Sequence, residues 1–517
     1  MLSPVWIVGF SGHRKVPDRE GAARELEMLF QRLAERIKAA GGTPALCTSP
    51  AAGADLLALT AAEKAGFSIH LVLPLPVDEF RHDFEDTAEW SIASEWIAKA
   101  TMDAEGSTIR TPSAILPRPE CYYESGLDIV SASDVLVVYW DGEPANGLGG
   151  TSDVVDLAKS QGKPVLRVDT RAQPHGAESV SPLTGLPESW PEPDPVIERL
   201  NHLIREEHVS ATANAGEIQN LFDSIADRRA PQFRRGVARA IWIHALAALI
   251  GAVPSLFYFA IVPKSAAPSK ESLEKWGKLA QAFTAVELVL VLAALVVTLL
   301  LYWGKTQQRW LMTRFAAELV RGLRAARPWL NPLNPQVDRH LPGWRRFAIT
   351  VSLRACPDAL PGESLDKKKQ HYLKWRISHQ AEHYREKSES AEHAHHRWHT
   401  LAKWAAILAP FAVTFALADK MFELELTKSW WGAFCGKFLP VALPLTAASA
   451  TAMRNALDLT RRATRYPEMV QRLAASELAL ESAKTELSAS QVISRTEEIL
   501  LDELIEWNLA ASNAGAH

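Results

Sequence analysis

What this sequence has little of narrows it first. Only four of its 517 residues are cysteines (Cys47, Cys121, Cys356 and Cys435), and they form neither a CxxC pair nor a Cys/His zinc spacing. Unpaired thiols in a reducing compartment are expected, not a disulfide-stapled secreted fold. The net charge is only -4, so the overall field does not favour nucleic acid and none is expected as a partner. No signal peptide is expected either: the early apolar stretch at residues 5–10 is too short, and no basic segment precedes it. Two stretches are almost devoid of charge. Residues 241–262 hold no acid, lysine or arginine, and residues 282–303 hold one acid, Glu287.

Those stretches belong to a set of four apolar runs in two pairs, the second pair being residues 401–418 and 433–453. Each is about long enough to cross a ~30 Å hydrocarbon core, which takes roughly 20 residues. A mean hydropathy of -0.07 conceals them, because charged segments surround them. The arginines at 228, 229, 234, 235 and 239 precede the first run; Lys305, Arg309 and Arg314 follow the second; Arg454, Arg461 and Arg462 follow the last. Basic flanks of this kind put both termini and the N-terminal domain in the cytoplasm of a multi-pass inner-membrane protein. Glu287 lies near one end of its run, where snorkelling and a pore role are both open. The second pair is less greasy. It carries Lys403, Pro410, Lys437, Pro440, Pro444 and a run of small and hydroxylated residues from Thr446 to Thr451, which suits close helix packing or a water path. Charged helices at residues 366–403 and 467–510 are expected to pair as a cytoplasmic stalk. Their histidines, with His379/His383 and His395/His399 four apart, read as a polar surface, with a pH-responsive or metal site as the alternative.

The first 170 residues have a different rhythm. Short apolar runs at 5–10, 45–48, 69–73, 135–140 and 165–168 alternate with amphipathic segments, the first of which opens at Pro17-Asp18 and repeats Leu26, Leu29, Phe30, Leu33 and Ile37 on one face. Runs without internal alternation suit strands buried on both faces. The fold class is therefore α/β, a Rossmann-like, parallel doubly wound sheet, followed by an all-α membrane region with four transmembrane helices and long cytoplasmic helices.

Ligands of such sheets bind beyond the carboxyl ends of the strands, and three loops there are unusual. The first is Gly9-Phe10-Ser11-Gly12-His13-Arg14, whose glycines admit a phosphate and whose arginine can fork onto it. The second is Gly53-Ala54-Asp55 at a helix start, where an anion is favoured and Asp55 either caps the helix or takes a ribose hydroxyl. The third is Gly147-Leu148-Gly149-Gly150-Thr151-Ser152-Asp153, again feeding a helix. Arg81 and Asp83, after the third strand, read as a solvated loop, with contact to a ligand as the alternative.

These motifs, SGHR after the first strand, GAD at the second helix and GGTSDVVDLA late in the domain, resemble the SLOG superfamily, which includes DprA and LOG proteins and the sensor regions of TRPM channels. The resemblance implies a nucleotide-derived ligand held by Gly9, Ser11, Gly12, His13, Arg14, Gly53, Ala54, Asp55, Gly149, Gly150, Thr151 and Asp153, with no further cofactor and no metal. It departs from the LOG hydrolase motif PGGxGTxxE: Thr151 directly follows Gly150, and Val154 stands where the glutamate would be. Tyr372-Leu373-Lys374-Trp375-Arg376-Ile377 with Gln380 and Tyr384, and the segment from Glu498 to Trp507, resemble the SLATT family of SLOG-associating two-transmembrane domains. That resemblance, taken over residues 230–517, implies a homo-oligomeric bacterial defence effector. The expected division is a sensing domain at 1–170, a Pro-rich linker and bridging helices at 171–230, a first hairpin at 231–330, a connecting loop at 331–368 and a second hairpin with cytoplasmic helices at 369–517. A membrane-anchored nucleotide-processing enzyme and a ligand-free scaffold remain the alternatives.

Overall fold

In the computed structural model of the chain, residues 1–102, 108–110, 116–145, 147–169, 183, 185–206, 214–254, 256, 270–303, 306–329, 333, 342–354, 364–422 and 430–513 are described. They divide into two compact units whose segments interleave. The first comprises residues 1–222, 315–368 and 484–506; the second comprises 223–314, 369–483 and 507–517.

The first unit is built on a parallel six-stranded sheet of order β4-β3-β2-β1-β5-β6. Its strands are β1 (Val5–Gly12), β2 (Thr43–Thr48), β3 (Ser68–Val72), β4 (Thr108–Arg110), β5 (Val135–Trp140) and β6 (Val165–Asp169). All five strands expected from the sequence are present, and β4 is added at the edge. Helices α1 (Arg19–Ala39), α2 (Ala54–Ala65), α3 (Val77–Phe80), α4 (Thr87–Met102), α5 (Arg118–Ala132) and α6 (Thr151–Ser160) cover the sheet. Asp18 caps α1, its Oδ1 accepting from the Gly21 amide at 2.9 Å, and the expected apolar face of α1 is buried. Side chains alternate along β1: Trp6, Val8 and Phe10 join the core under α1 and α2, whereas Val5 and Ile7 join the core under α5 and α6. After β1 the chain works outward through β2, β3 and β4, then returns to β1's other side with β5. The switch point of the sheet is the crevice between β1 and β5, where Gly12 faces Tyr139 in register.

The rest of this unit comes from farther along the chain. Of the Pro-rich stretch, residues 170–182 and 184 lie outside the described residues. Its end lies on the sheet domain: Arg36 donates to the Pro187 and Glu188 carbonyls at 2.6 Å, and Trp190 meets Trp6 edge-on at 5.5 Å. The helix expected to bridge to the membrane, α7 (Pro195–Glu206), docks on this domain instead, with Asn201 hydrogen-bonded to both the amide and the carbonyl of Leu2. The long helix α8 (Ala215–Ala252) is what leaves the unit. The chain returns through α9 (Lys270–Trp303) and α10 (Thr306–Ala326) to α11 (Arg345–Ser352), which clasps the amino edge of the sheet. Thr350 Oγ1 accepts from the Val5 amide at 3.0 Å, Arg346 lies 3.3 Å over the Trp6 ring, and Arg345 and Arg346 both reach Asp134, which also accepts from the Ile7 amide.

The second unit is helical. Helix α12 (Leu365–Tyr372) continues through a π-helical turn at Leu373–Ser378 into α13 (His379–Met421); α14 (Trp430–Ala433) continues through another at Phe434–Phe438 into α15 (Leu439–Ala456); α16 (Leu459–Ser482) and α17 (Glu486–Asn513) follow. Four of the described helices are long and apolar enough to cross a membrane, and at most 17% of any apolar window is buried. Leu288, Val289, Leu292, Val296 and Leu300 stand exposed along α9, and Phe411, Val413 and Leu417 along α13. A contiguous apolar surface of this extent requires lipid or a partner. The first pair is an antiparallel hairpin: Gly236 abuts Leu301, and Gly251 abuts Glu287. A Cβ at Gly251 would lie 2.4 Å from Glu287 Oε2. The carboxylate therefore faces the partner helix at the gap a glycine leaves, which answers the question of its direction. The expected stalk pairing is seen between α13 and α16, with Tyr384 and Tyr466 rings 4.9 Å apart and Lys369 capping the end of α16 on the Glu481 and Ala483 carbonyls. The expected single helix over 467–510 is instead broken at Ala483, whose extended backbone ends α16.

Candidate functional site

The three singled-out loops meet at the switch point. Gly12 has no room for a side chain, since a Cβ there would lie 2.6 Å from that of Ala54. Gly53, at φ +90°, brings the start of α2 onto the first loop. A Cβ on it would lie 2.2 Å from the Arg14 carbonyl oxygen, and the Ala54 amide donates to the His13 carbonyl at 3.1 Å. His13 in turn is tied to the end of β5. Its amide donates to the Tyr139 carbonyl, and its Nε2 lies 3.0 Å from Asp141 Oδ1 and 3.2 Å from the Asp141 amide. Gly149, at φ +85°, presses the third loop against the backbone of Tyr122 and Tyr123 in α5. Gly150 is the N-cap of α6 and Thr151 its first residue.

Two of the expected ligand residues are used within the fold. Gly9 lies inside the sheet, where a Cβ would strike Ser133 Oγ at 2.2 Å. Asp153 accepts from the Gly149 amide at 2.8 Å and so holds its own loop. Asp55 is not the helix cap, a place taken by Gly53, so of its two readings capping is excluded. Its buried carboxyl receives the Gly12 amide, and burial holds its pKa well above the usual carboxylate range despite that bond and the nearby Arg14. Asp55 Oδ1 has no hydrogen-bond partner.

Residues outside those loops complete the arrangement. Asp83 is not the solvated loop residue expected. Its side chain is 12% exposed, it pairs with Arg118 of α5, and Arg14 Nη2 approaches it at 3.6 Å. Arg14 also lies over the Tyr122 ring at 5.7 Å. Arg118 and Tyr122 were not legible as site residues; the helix start at Pro117-Arg118-Pro119 was the available signal. Four buried oxygens along this edge lack a hydrogen-bond partner among the described residues: Ser49 Oγ after β2, Asp55 Oδ1, Asp83 Oδ2 and Tyr122 OH. Asp83 Oδ2 has the Arg14 ion pair in its place; a buried polar atom left unpaired costs on the order of 1–3 kcal/mol, so the other three along one sheet edge mark a place where an outside group would be stabilised. Two guanidiniums, Arg14 and Arg118, stand here beside the Asp83 carboxylate.

Two clefts of about 490 and 340 Å³ lie at the opposite, amino edge, the first lined by Ser131, Asp134, Lys163 and Arg345, the second by Trp6, Trp190, Asp194 and Arg346. Their polar groups already pair with one another: Lys163 donates to three carbonyls and Asp134 meets both arginines. They are seams beside α11. Among the described residues no group of three or more His, Cys, Asp and Glu side chains could hold a metal ion.

Residues 372–507 match the family model described as SMODS and SLOG-associating 2TM effector domain 1. The match begins at the π-helical turn of α12 and α13, takes in the second apolar pair, and ends in α17. It stops short of the first hairpin, which the SLATT resemblance read from residue 230 had included. No curated protein shows a significant match to the chain. With four helices apolar enough to cross a membrane and a match to a two-transmembrane domain model, this is a membrane protein.

Proposed function

We propose that this protein is a nucleotide-sensing membrane effector of a bacterial conflict system, in which ligand binding at the β1–β5 crevice triggers permeabilisation of the membrane by the helical unit. The observation that carries the reading is the set of unpaired buried oxygens around Arg14. Arg14, Arg118 and the amides at the start of α6 suit a phosphate, Tyr122 offers a ring face, and Asp55 Oδ1 offers an acceptor for a ribose hydroxyl. The SLOG resemblance of the same loops points to the same ligand class, and the matched effector domain supplies the output. The test uses the full chain in dye-filled liposomes of bacterial lipid, screened with cyclic and ADP-ribose-type nucleotides. A nucleotide that binds and releases dye, with both effects lost in Arg14→Ala, supports the proposal. Binding without dye release sinks the gating step.

A hydrolase is the second reading, and the protonated state favoured for Asp55 is what a general acid needs. Against it, Val154 stands in the place of the LOG glutamate and Asp153 is engaged by Gly149. Release of free base or ribose phosphate from an incubated nucleotide would reverse the order.

A further inference from the structure

Residues 228–239, 309–314 and 454–465, which flank three of the four apolar runs, hold eleven arginines and a single acid, Asp458. Such an excess orients a span, and side chains loose in water would serve that purpose equally well. These are held. The Arg234 guanidinium lies 5.5 Å over the Trp310 ring, and buried Trp310 stacks on Phe233 at 5.8 Å. Arg454 Nη1 is 3.1 Å from His399 Nδ1. The Nε atoms of Arg454 and Arg462 are buried with no hydrogen-bond partner among the described residues.

The charges in this cluster oppose one another. Arg234 is pulled down to about 10, first by burial and then by Arg462 and Arg314, with only Tyr466 and Asp458 acting the other way. Asp458 is the one acid in these segments. It sits at a left-handed turn (φ +53°) between α15 and α16, and burial pushes its own carboxyl up against the pull of Arg462, Arg461 and Arg234. Half-buried guanidiniums gathered with so little opposing charge are stabilised by an anion that accepts several hydrogen bonds at once, and phosphate geometry meets that need.

The position indicates which phosphate. Arg234 lies seven residues before the first apolar run and Arg462 nine after the last, about 10–14 Å of helix at 1.5 Å per residue, a span that long arginine side chains shorten by reaching back toward the headgroups. Trp242 and Leu246, exposed on α8 just beyond Arg234 and Arg239, offer an apolar surface next to the charged one. A head that is anionic and a body that is apolar describe a phospholipid. We propose that Arg234, Arg314 and Arg462, backed by Trp310, form a site for the phosphate of an anionic phospholipid.

Full-length protein in neutral detergent is the system for the test, with phosphatidylglycerol, phosphatidylcholine or inorganic phosphate added at equal concentration. The expected result is a rise in thermal midpoint of several degrees with phosphatidylglycerol only, lost in Arg234→Gln/Arg462→Gln and retained in Arg234→Lys/Arg462→Lys. An undiminished rise in the glutamine variant overturns the site, and an equal rise with inorganic phosphate overturns the lipid assignment. Native mass spectrometry of the unaltered protein needs no variant: phosphatidylglycerol adducts surviving where phosphatidylcholine adducts do not are expected, and equal retention of the two overturns the proposal.

Discussion

Asp55 sits in the first turn of α2 with a buried carboxyl group, one oxygen of which is left without a hydrogen-bond partner. Because burial raises its folded-state pKa, the folded chain favours the protonated form, and that stability is fully present below the unfolded value of about 4. It is lost as pH rises through Asp55's folded value. Asp55→Asn removes the cost of ionisation, so the unliganded variant should melt higher than wild type at neutral pH, the gap closing as pH falls toward about 4. The same change should weaken the nucleotide-induced shift if Asp55 accepts from the ligand; thermal melts across pH, with and without ligand, check both. Gly53→Ala should destabilise the domain by at least about 1–3 kcal/mol, since φ +90° is strained for any side chain and the Arg14 carbonyl occupies the space; denaturant unfolding reads it. The glycine loops were legible because a strand-to-helix turn rich in glycine is a local pattern. Tyr122 and Arg118 were not, because nothing in a helix sequence says that its side chains will meet a loop about 100 residues earlier.

Among the elements, α11 owes its place to charge and apolar contact together. Asp134, with its side chain 9% exposed, meets Arg345 and Arg346, while Ile349 and Leu353 enter the core under α5 and α6. Asp134→Ala strands two arginines and should cost about 3 kcal/mol, the low end for a buried pair, because the arginines stay partly wet; tryptophan-monitored denaturation in detergent measures it. In the first hairpin, Gly251→Val should force the helices apart at Glu287, and adding Glu287→Ala should recover part of the loss. A double-mutant cycle on thermal midpoints tests that coupling. The existence of both hairpins was readable from length and lack of charge, whereas their register depends on which small residue faces which large one.

At the scale of the whole molecule, the four candidate spans, if all cross, would place both ends on one side of the membrane. Cysteines introduced as Ser3→Cys and Ser512→Cys, in a background cleared of the native four, should be labelled by a membrane-impermeant thiol reagent from the same face. Labelling from opposite faces would exclude four spans. The proposed ligand gating belongs to this scale too, because the sheet domain is completed by residues 315–368 and 484–506, which leave from and return to the helical unit. Movement at the sheet is thereby tied covalently to both hairpins.

What the sequence by itself determined is local in origin: the five buried strands, the capped helix α1, the glycine turns, the four apolar runs and the effector-type segment later matched over 372–507. Each follows from periodicity, charge or spacing within about thirty residues. Only the tertiary structure decided that α7 and α11 belong to the sheet domain, that Asp83 is held by Arg118, that Glu287 fills the gap at Gly251, and that Arg234 shares its surroundings with Arg314 and Arg462. Each joins residues from different elements that lie more than thirty residues apart in the chain. No local pattern encodes which distant partner will bury a given charge or occupy a given gap.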